Sequence, residues 1–277
     1  MSNNYKSFKP TIWSKFIEQM LGKYTVFEND CNYRFKGEVG KGKTVKILGV
    51  TRPSIGDYTG EKIADPEVFD GVEQELKIDQ AKYFNFMIDD VDEAQSVEGV
   101  MEAFIDEASK AMAECRDSYI AEIIAKGADE DMVSEYTLAD MDKTEVKAAI
   151  DKGIQKLWEN GVSQKDDITI YLNPAMYLLF QEYITETKTD NDEAIASGIL
   201  GNYAGAKVKM SNNFYNEEGT EYLFIKTKKA VAFASGIDET EAYRPEGLFS
   251  DAVKGLNTYG GKVIRPREMY VIKVAQN

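Results

Sequence analysis

Apolar residues recur at helical spacing along residues 97–124. Val97, Val100, Met101, Phe104, Ile105, Ala108, Met112, Cys115, Tyr119 and Ile123 mark one stripe, and Glu98, Glu102, Asp106, Lys110, Glu114 and Asp117 mark the opposite one. The spacing predicts one long helix, roughly 40 Å at ~1.5 Å per residue. It is capped by Asp92 with Gln95, or by Ser96, and closed by Gly127. Cys115 falls on the apolar stripe and reads as a small core residue, with Asp117 on the solvent side. A shorter amphipathic helix is predicted over 11–21, from Ile12, Trp13, Phe16, Ile17 and Met20. Another covers 143–160, with Val146, Ile150, Ile154 and Leu157 on one face and Asn160-Gly161 as its stop. Asn173-Pro174 opens a further helix, since Asn caps well and Pro fits a first turn.

Between these lie period-two patterns. Residues 44–50 predict a strand, and 75–79 begin a return strand that continues through 83–88. The intervening 54–71 is rich in Gly, Asp and Glu, so the pair is a long excursion with little core of its own. It fits either a loop lying on a neighbouring molecule or a surface hairpin of a monomer. Residues 128–142 read as a polar connector, 167–172 as a strand, and 186–193 as a loop without an apolar anchor. Further strands are expected at 207–211, 221–226, 231–234 and 239–244. A short helix is expected at 249–256, then a long strand over 262–274 interrupted at Arg265-Pro266.

Composition narrows the chemistry. The chain has 277 residues, enough for one or two domains, and a formal net charge of -15. That sign argues against a nucleic-acid grip, which needs a basic surface. There is no histidine, so the commonest general base and metal ligand are both missing. Two cysteines, Cys31 and Cys115, are too few for a disulfide framework or a Cys-rich zinc site. Cys31 lies in a polar stretch and is given no role. No signal peptide and no membrane span are expected. No metal and no cofactor are expected either. The carboxylate groups at 89–93, 129–131 and 190–193 sit in loops or helix starts, where acids are solvated or face a helix dipole.

One motif imitates a nucleotide site. Residues 37–44, GEVGKGKT, match the phosphate-loop pattern, with Gly37, Gly42, Lys43 and Thr44 in the defining places. That chemistry needs a buried strand before the loop and a helix N-terminus after it. Here the preceding residues are polar and the following ones are β-branched and alternating, so the pattern reads as a turn into a strand and a decoy.

The order and wording of 201–274 resemble tailed-phage major capsid proteins with the HK97-type fold. A G-x-K-V-x-x-S-N-N strand precedes K-K-A-V-A-F-A. There follow an acidic strand ending Tyr243-Arg244-Pro245-Glu246, a Phe249-x-Asp251 step, and Tyr259-Gly260-x-x-Val263-x-Arg265-Pro266. The resemblance implies an α+β, HK97-like capsid fold. Its parts are an N-terminal arm (1–35), an extended β-hairpin loop (36–90), a peripheral domain with a long spine helix (91–142), a mixed α/β axial domain (143–235) and C-terminal strands returning to the peripheral domain (236–277). The implied function is a structural, non-enzymatic coat protein of the virion. It would self-assemble into pentamers and hexamers of an icosahedral shell around double-stranded DNA, in the cytoplasm of a bacterial host. The resemblance further implies a separate scaffolding protein and a portal as partners, with no sequence-specific DNA binding and no membrane. Trp13 and Phe16 of the arm, and Tyr58, Lys62, Ile63, Val68 and Phe69 of the loop, are the expected intersubunit contacts. Some capsids of the family join such loops by Lys–Asn crosslinks. No Asn and Glu match alongside Lys62, so no crosslink is expected. Encapsulin shells share the fold and are the first alternative; a phosphate-loop enzyme is the second.

Overall fold

A three-stranded antiparallel sheet and a seven-stranded mixed sheet share this chain, with a helix of 28 residues against the first. The computed structural model describes residues 20, 23–33, 44–48, 55, 73–89, 100–186 and 200–276. The long helix, α1 (Val100–Gly127), is built of good helix formers and stops at Gly127. A Cβ there would stand 2.7 Å from Val263 Cγ2, so the helix end needs glycine to approach the sheet. Its buried line is Ile105, Ser109, Met112, Ala113, Arg116, Asp117, Ile120, Ala121 and Ile124. This corrects two sequence readings: Cys115 is exposed and Asp117 is fully buried. The cause is non-local. Residues 23–33 lie across Arg116 and Asp117 and bring backbone donors that a charge pattern cannot reveal.

The three-stranded sheet has the order β10 (Val231–Tyr243), β11 (Ser250–Val263), β3 (Gln80–Asp89). β11 is a strand where a helix was expected over 249–256. It pairs along both edges, from Ser250↔Asp89 to Tyr259↔Gln80 on one side and from Tyr243↔Ala252 to Val231↔Val263 on the other. That pairing overrides the local helix propensity. β10 joins the two strands expected at 231–234 and 239–244 across a register shift between Ser235 and Asp238. The hairpin of β1 (Thr44–Leu48) and β2 (Glu73–Lys77) is antiparallel, and Ile47, Leu76 and Ile78 pack with Ala232 and Ala234 of β10. At Gly260 of β11 a Cβ would come within 2.1 Å of Lys77 O, so the foot of this hairpin presses directly on the β11 backbone.

The larger sheet runs β4 (Val133–Thr137), β12 (Met269–Ala275), β9 (Thr220–Thr227), β5 (Ile168–Leu172), β7 (Ala206–Met210), β6 (Asn202–Tyr203), with β8 (Tyr215–Glu217) beside β9. β4 lies inside the segment read as a connector. Its backbone pairs in parallel with β12, from Val271↔Val133 to Ala275↔Thr137. β12 therefore belongs to this sheet and β11 to the smaller one. α2 (Lys143–Glu159) and α3 (Pro174–Glu186) match expectation. The Asp142 carboxylate accepts the N–H groups of Thr144 and Glu145 at 2.8 Å each, and Asn173 Oδ1 accepts that of Met176 at 2.8 Å. Gly153 lets α2 close on the sheet, since a Cβ there would meet Ile225 Cδ1 at 2.7 Å. The main core gathers Tyr171, Phe180, Phe224, Ile225 and Tyr270 around this contact.

Candidate assembly surface and arm-base clasp

The sequence nominates Trp13, Phe16, Tyr58, Lys62, Ile63, Val68 and Phe69 as contacts; all lie outside the described residues. So do Gly37, Gly42 and Lys43 of the phosphate-loop pattern. Thr44 is described, and it opens strand β1 opposite Lys77. A strand start offers no helix dipole to a phosphate. Ile55, the one described residue of 49–72, is 90% exposed.

Residues 23–33, which the sequence reading counts with the arm, dock on the chain's own core. Phe27 is fully buried, with ring centroids 5.0 Å from Tyr171 and 4.9 Å from Phe224. The Asp117 carboxylate accepts the N–H groups of Val26, Phe27 and Glu28 at 2.7, 3.1 and 3.3 Å. Arg116 pairs with Glu28 and donates through Nε to Asn257 Oδ1 at 3.1 Å, which ties α1, the docked segment and β11 together. On the opposite side, Asp30 Oδ2 accepts from Lys209 and from the Tyr171 hydroxyl. Lys226 donates to the Asp30 carbonyl and lies 3.9 Å from Cys31 Sγ. Burial pushes the Asp117 carboxyl up to about 6, against the opposing pull of its three N–H donors. Burial also pushes Asp30 upward, but the hydrogen bonds from Lys209 and Tyr171 and the charge of Lys226 outweigh it and hold the carboxyl below its usual range. Cys31, set aside by the sequence reading, is a buried thiol whose pKa is raised by burial to about 11.

A second feature is apolar and outward. On β3, Tyr83 and Met87 project from the same face as Asn85, whose Oδ1 accepts from the Tyr243 hydroxyl at 3.2 Å. Tyr83 is 79% exposed, and in the connection from β10 to β11 Phe249 is 80% exposed with Leu248 beside it. Phe84 and Phe86 project to the other face and stack in series with Phe104 of α1 at 6.0 and 5.8 Å. Sequence reasoning did not single out these contact candidates. The available signal was a Phe-Leu pair at a Pro/Gly turn, in the stretch R-P-E-G-L-F. Apolar side chains on an acidic surface gain by covering one another.

Among the described residues no group of three or more His, Cys, Asp or Glu side chains could hold a metal ion. Asp129, from one of the carboxylate groups noted in the sequence, pairs with Arg267 at 3.4 Å. No described helix is long and apolar enough to cross a membrane.

No family model matches this chain, and no curated protein matches it. Solved structures do. One from Mycobacterium phage Che8 is 28% identical, with 90% of this chain covering 90% of that one at a TM-score of 0.72. The capsid of cyanophage P-SCSP1u is 18% identical, with 91% of this chain covering 89% of that one at a TM-score of 0.69. A virus-like particle from Pyrococcus furiosus is 11% identical, with 95% covering 98% at a TM-score of 0.56. The α+β, HK97-like fold and the resemblance to tailed-phage capsid proteins read from 201–274 are thereby borne out.

Proposed function

We propose that this chain, a capsid shell protein by fold, is the major coat subunit of a tailed phage. It assembles as pentamers and hexamers into a closed icosahedral shell around double-stranded DNA. The observation that carries the reading is the shared fold over nine-tenths of the chain, at 28% identity, with the Che8 structure. The assembly mechanism is geometric. In this reading the apolar residues named for the arm and the extended loop, Trp13, Phe16, Tyr58, Ile63, Val68 and Phe69, are covered by neighbouring subunits. The exposed β3 face and the Phe249 turn supply complementary patches. Such contacts are heterologous, and they close into rings when the rotation between copies divides the circle. Net charge -15 suits a wall that encloses DNA without gripping it. The role is structural, and we assign no reaction to it. Assembly with a separate scaffolding protein and a portal, inside the bacterial cytoplasm, completes the proposal.

The likeness to the Pyrococcus furiosus virus-like particle supports a second reading, an encapsulin-type shell around protein cargo. The contents of purified particles separate the two. Shells that fill with DNA when portal and packaging proteins are present support the phage reading. Shells that purify with one stoichiometric protein cargo and never take DNA contradict it. Phe69→Asp and Phe249→Asp test the patches: each is expected to abolish particles while the subunit keeps its circular dichroism and melting temperature. Normal particles from both variants would overturn the role of these patches.

A further inference from the structure

The segment 23–33 brings two carboxylates, Glu28 and Asp30, into a socket of opposite sign. The socket supplies Arg116 from α1, Lys209 from β7 and Lys226 from β9, against one acid, Asp117. That is a local cationic excess in a chain whose net charge is -15. Lys226 is the unusual member. It stands on β9, inside the larger sheet, and is 1% exposed. A buried ammonium is costly unless its donors are satisfied. Here its Nζ donates to the Asp30 carbonyl, lies 3.9 Å from Cys31 Sγ, and sits 5.6 Å from the centroid of the Tyr171 ring. Two of these three partners belong to the docked segment. The described backbone attachment of that segment to the sheets is slight by comparison. It is a single bridge, Asn32↔Ala232, with Asn32 N–H donating to Val231 O at 2.9 Å and Phe233 N–H to Asn32 O at 3.3 Å.

We propose that Lys226 is a charge latch for the arm base: its buried ammonium is satisfied by Asp30 and Cys31, so undocking residues 23–33 strands a cation inside the sheet. The seated arm base and the intact larger sheet are then one cooperative state. Lys209 plays a lesser part, because its side chain is one-third exposed and water can replace Asp30. This device belongs to the single subunit and does not depend on shell assembly.

Hydrogen exchange on the full-length chain tests it. In Lys226→Met the cation is gone, and a methionine of similar length fills its space. Amides of residues 23–33 are expected to exchange about tenfold faster than in the wild type, while those of β9 and β12 keep their protection. Lys209→Met is expected to give a smaller rise in the same segment. Unchanged exchange in 23–33 would overturn the latch. So would loss of protection in β9 and β12 together with 23–33, which would make Lys226 a general packing residue. An effect of Lys209→Met as large as that of Lys226→Met would also overturn it, since the Asp30 carboxylate would then be the holding group.

Discussion

Arg116 and Glu28 form an ion pair buried on both sides, with Arg116 Nη1 3.0 Å from Glu28 Oε1. The pair links the middle of α1 to the docked segment across 88 residues of sequence. Taking two charges out of water costs about as much as their attraction returns, so the pair adds specificity more than net stability. Removing one partner is different. Glu28→Gln leaves the guanidinium short of its counter-charge and is expected to cost about 3–5 kcal/mol in urea unfolding. The double variant Glu28→Leu with Arg116→Met is expected to cost less than Glu28→Gln alone. A double-mutant cycle built from Glu28→Leu, Arg116→Met and the double variant measures the coupling, and additive losses would contradict this view of the pair.

Asp117 gives the chain an unusual pH response. Its folded pKa, about 6, lies above the ordinary carboxyl value, so the folded state holds its proton more tightly than the unfolded state does. This group's contribution to stability therefore grows as pH falls from 7 toward 4. Asp30 acts the other way: its depressed pKa contributes stability above the ordinary carboxyl range, and that contribution is lost as acid titrates it. Comparing the wild type with Asp117→Asn isolates the first effect, because Asp30 is common to both. Between pH 7 and pH 5 the wild type is expected to gain about 1 kcal/mol relative to the variant. Equal pH dependence of the two proteins in urea titrations would refute the assignment.

Gly260 is where the foot of the β1–β2 hairpin rests on β11. A Cβ would lie 2.1 Å from Lys77 O and 2.9 Å from the Cα of Ile78, and both are backbone atoms that cannot swing aside. Gly260→Ala is expected to cost about 2–4 kcal/mol, by overpacking and by lifting the hairpin foot off the sheet. Gly201→Ala, with nothing within 4 Å of the added Cβ, is the control and is expected to change little. A thermal melt of each variant decides it.

The sequence made elements with local signals legible. α2 and α3 announced themselves by a 3.6 period, by the Asn160-Gly161 stop and by Asn173 at the start of α3, whereas the Asp142 cap of α2 emerged only in the structure. β5, β7 and β9 were plain from their alternation or apolar runs. What failed was settled by partners distant in sequence. β4 is polar enough to read as a connector and becomes a strand through β12, more than a hundred residues on. Phe249, Ala252, Val253 and Leu256 stand at helical spacing, yet β3 and β10 claim the two edges of β11. Asp117 was read as solvent-facing because the donors it serves are the main-chain N–H groups of residues 26–28. The same holds for the candidate contacts. Tyr83 looked like one aromatic among several in β3, and only its place on the open face distinguishes it from Phe84 and Phe86.

Electron microscopy of the purified full-length chain, alone and with a candidate scaffolding protein, tests the central claim most directly. Closed shells or capsomer rings are expected, with the β3 face and the Phe249 turn of each subunit covered by a neighbour. A protein that stays monomeric at every concentration, with and without scaffold, would contradict the assignment to a shell.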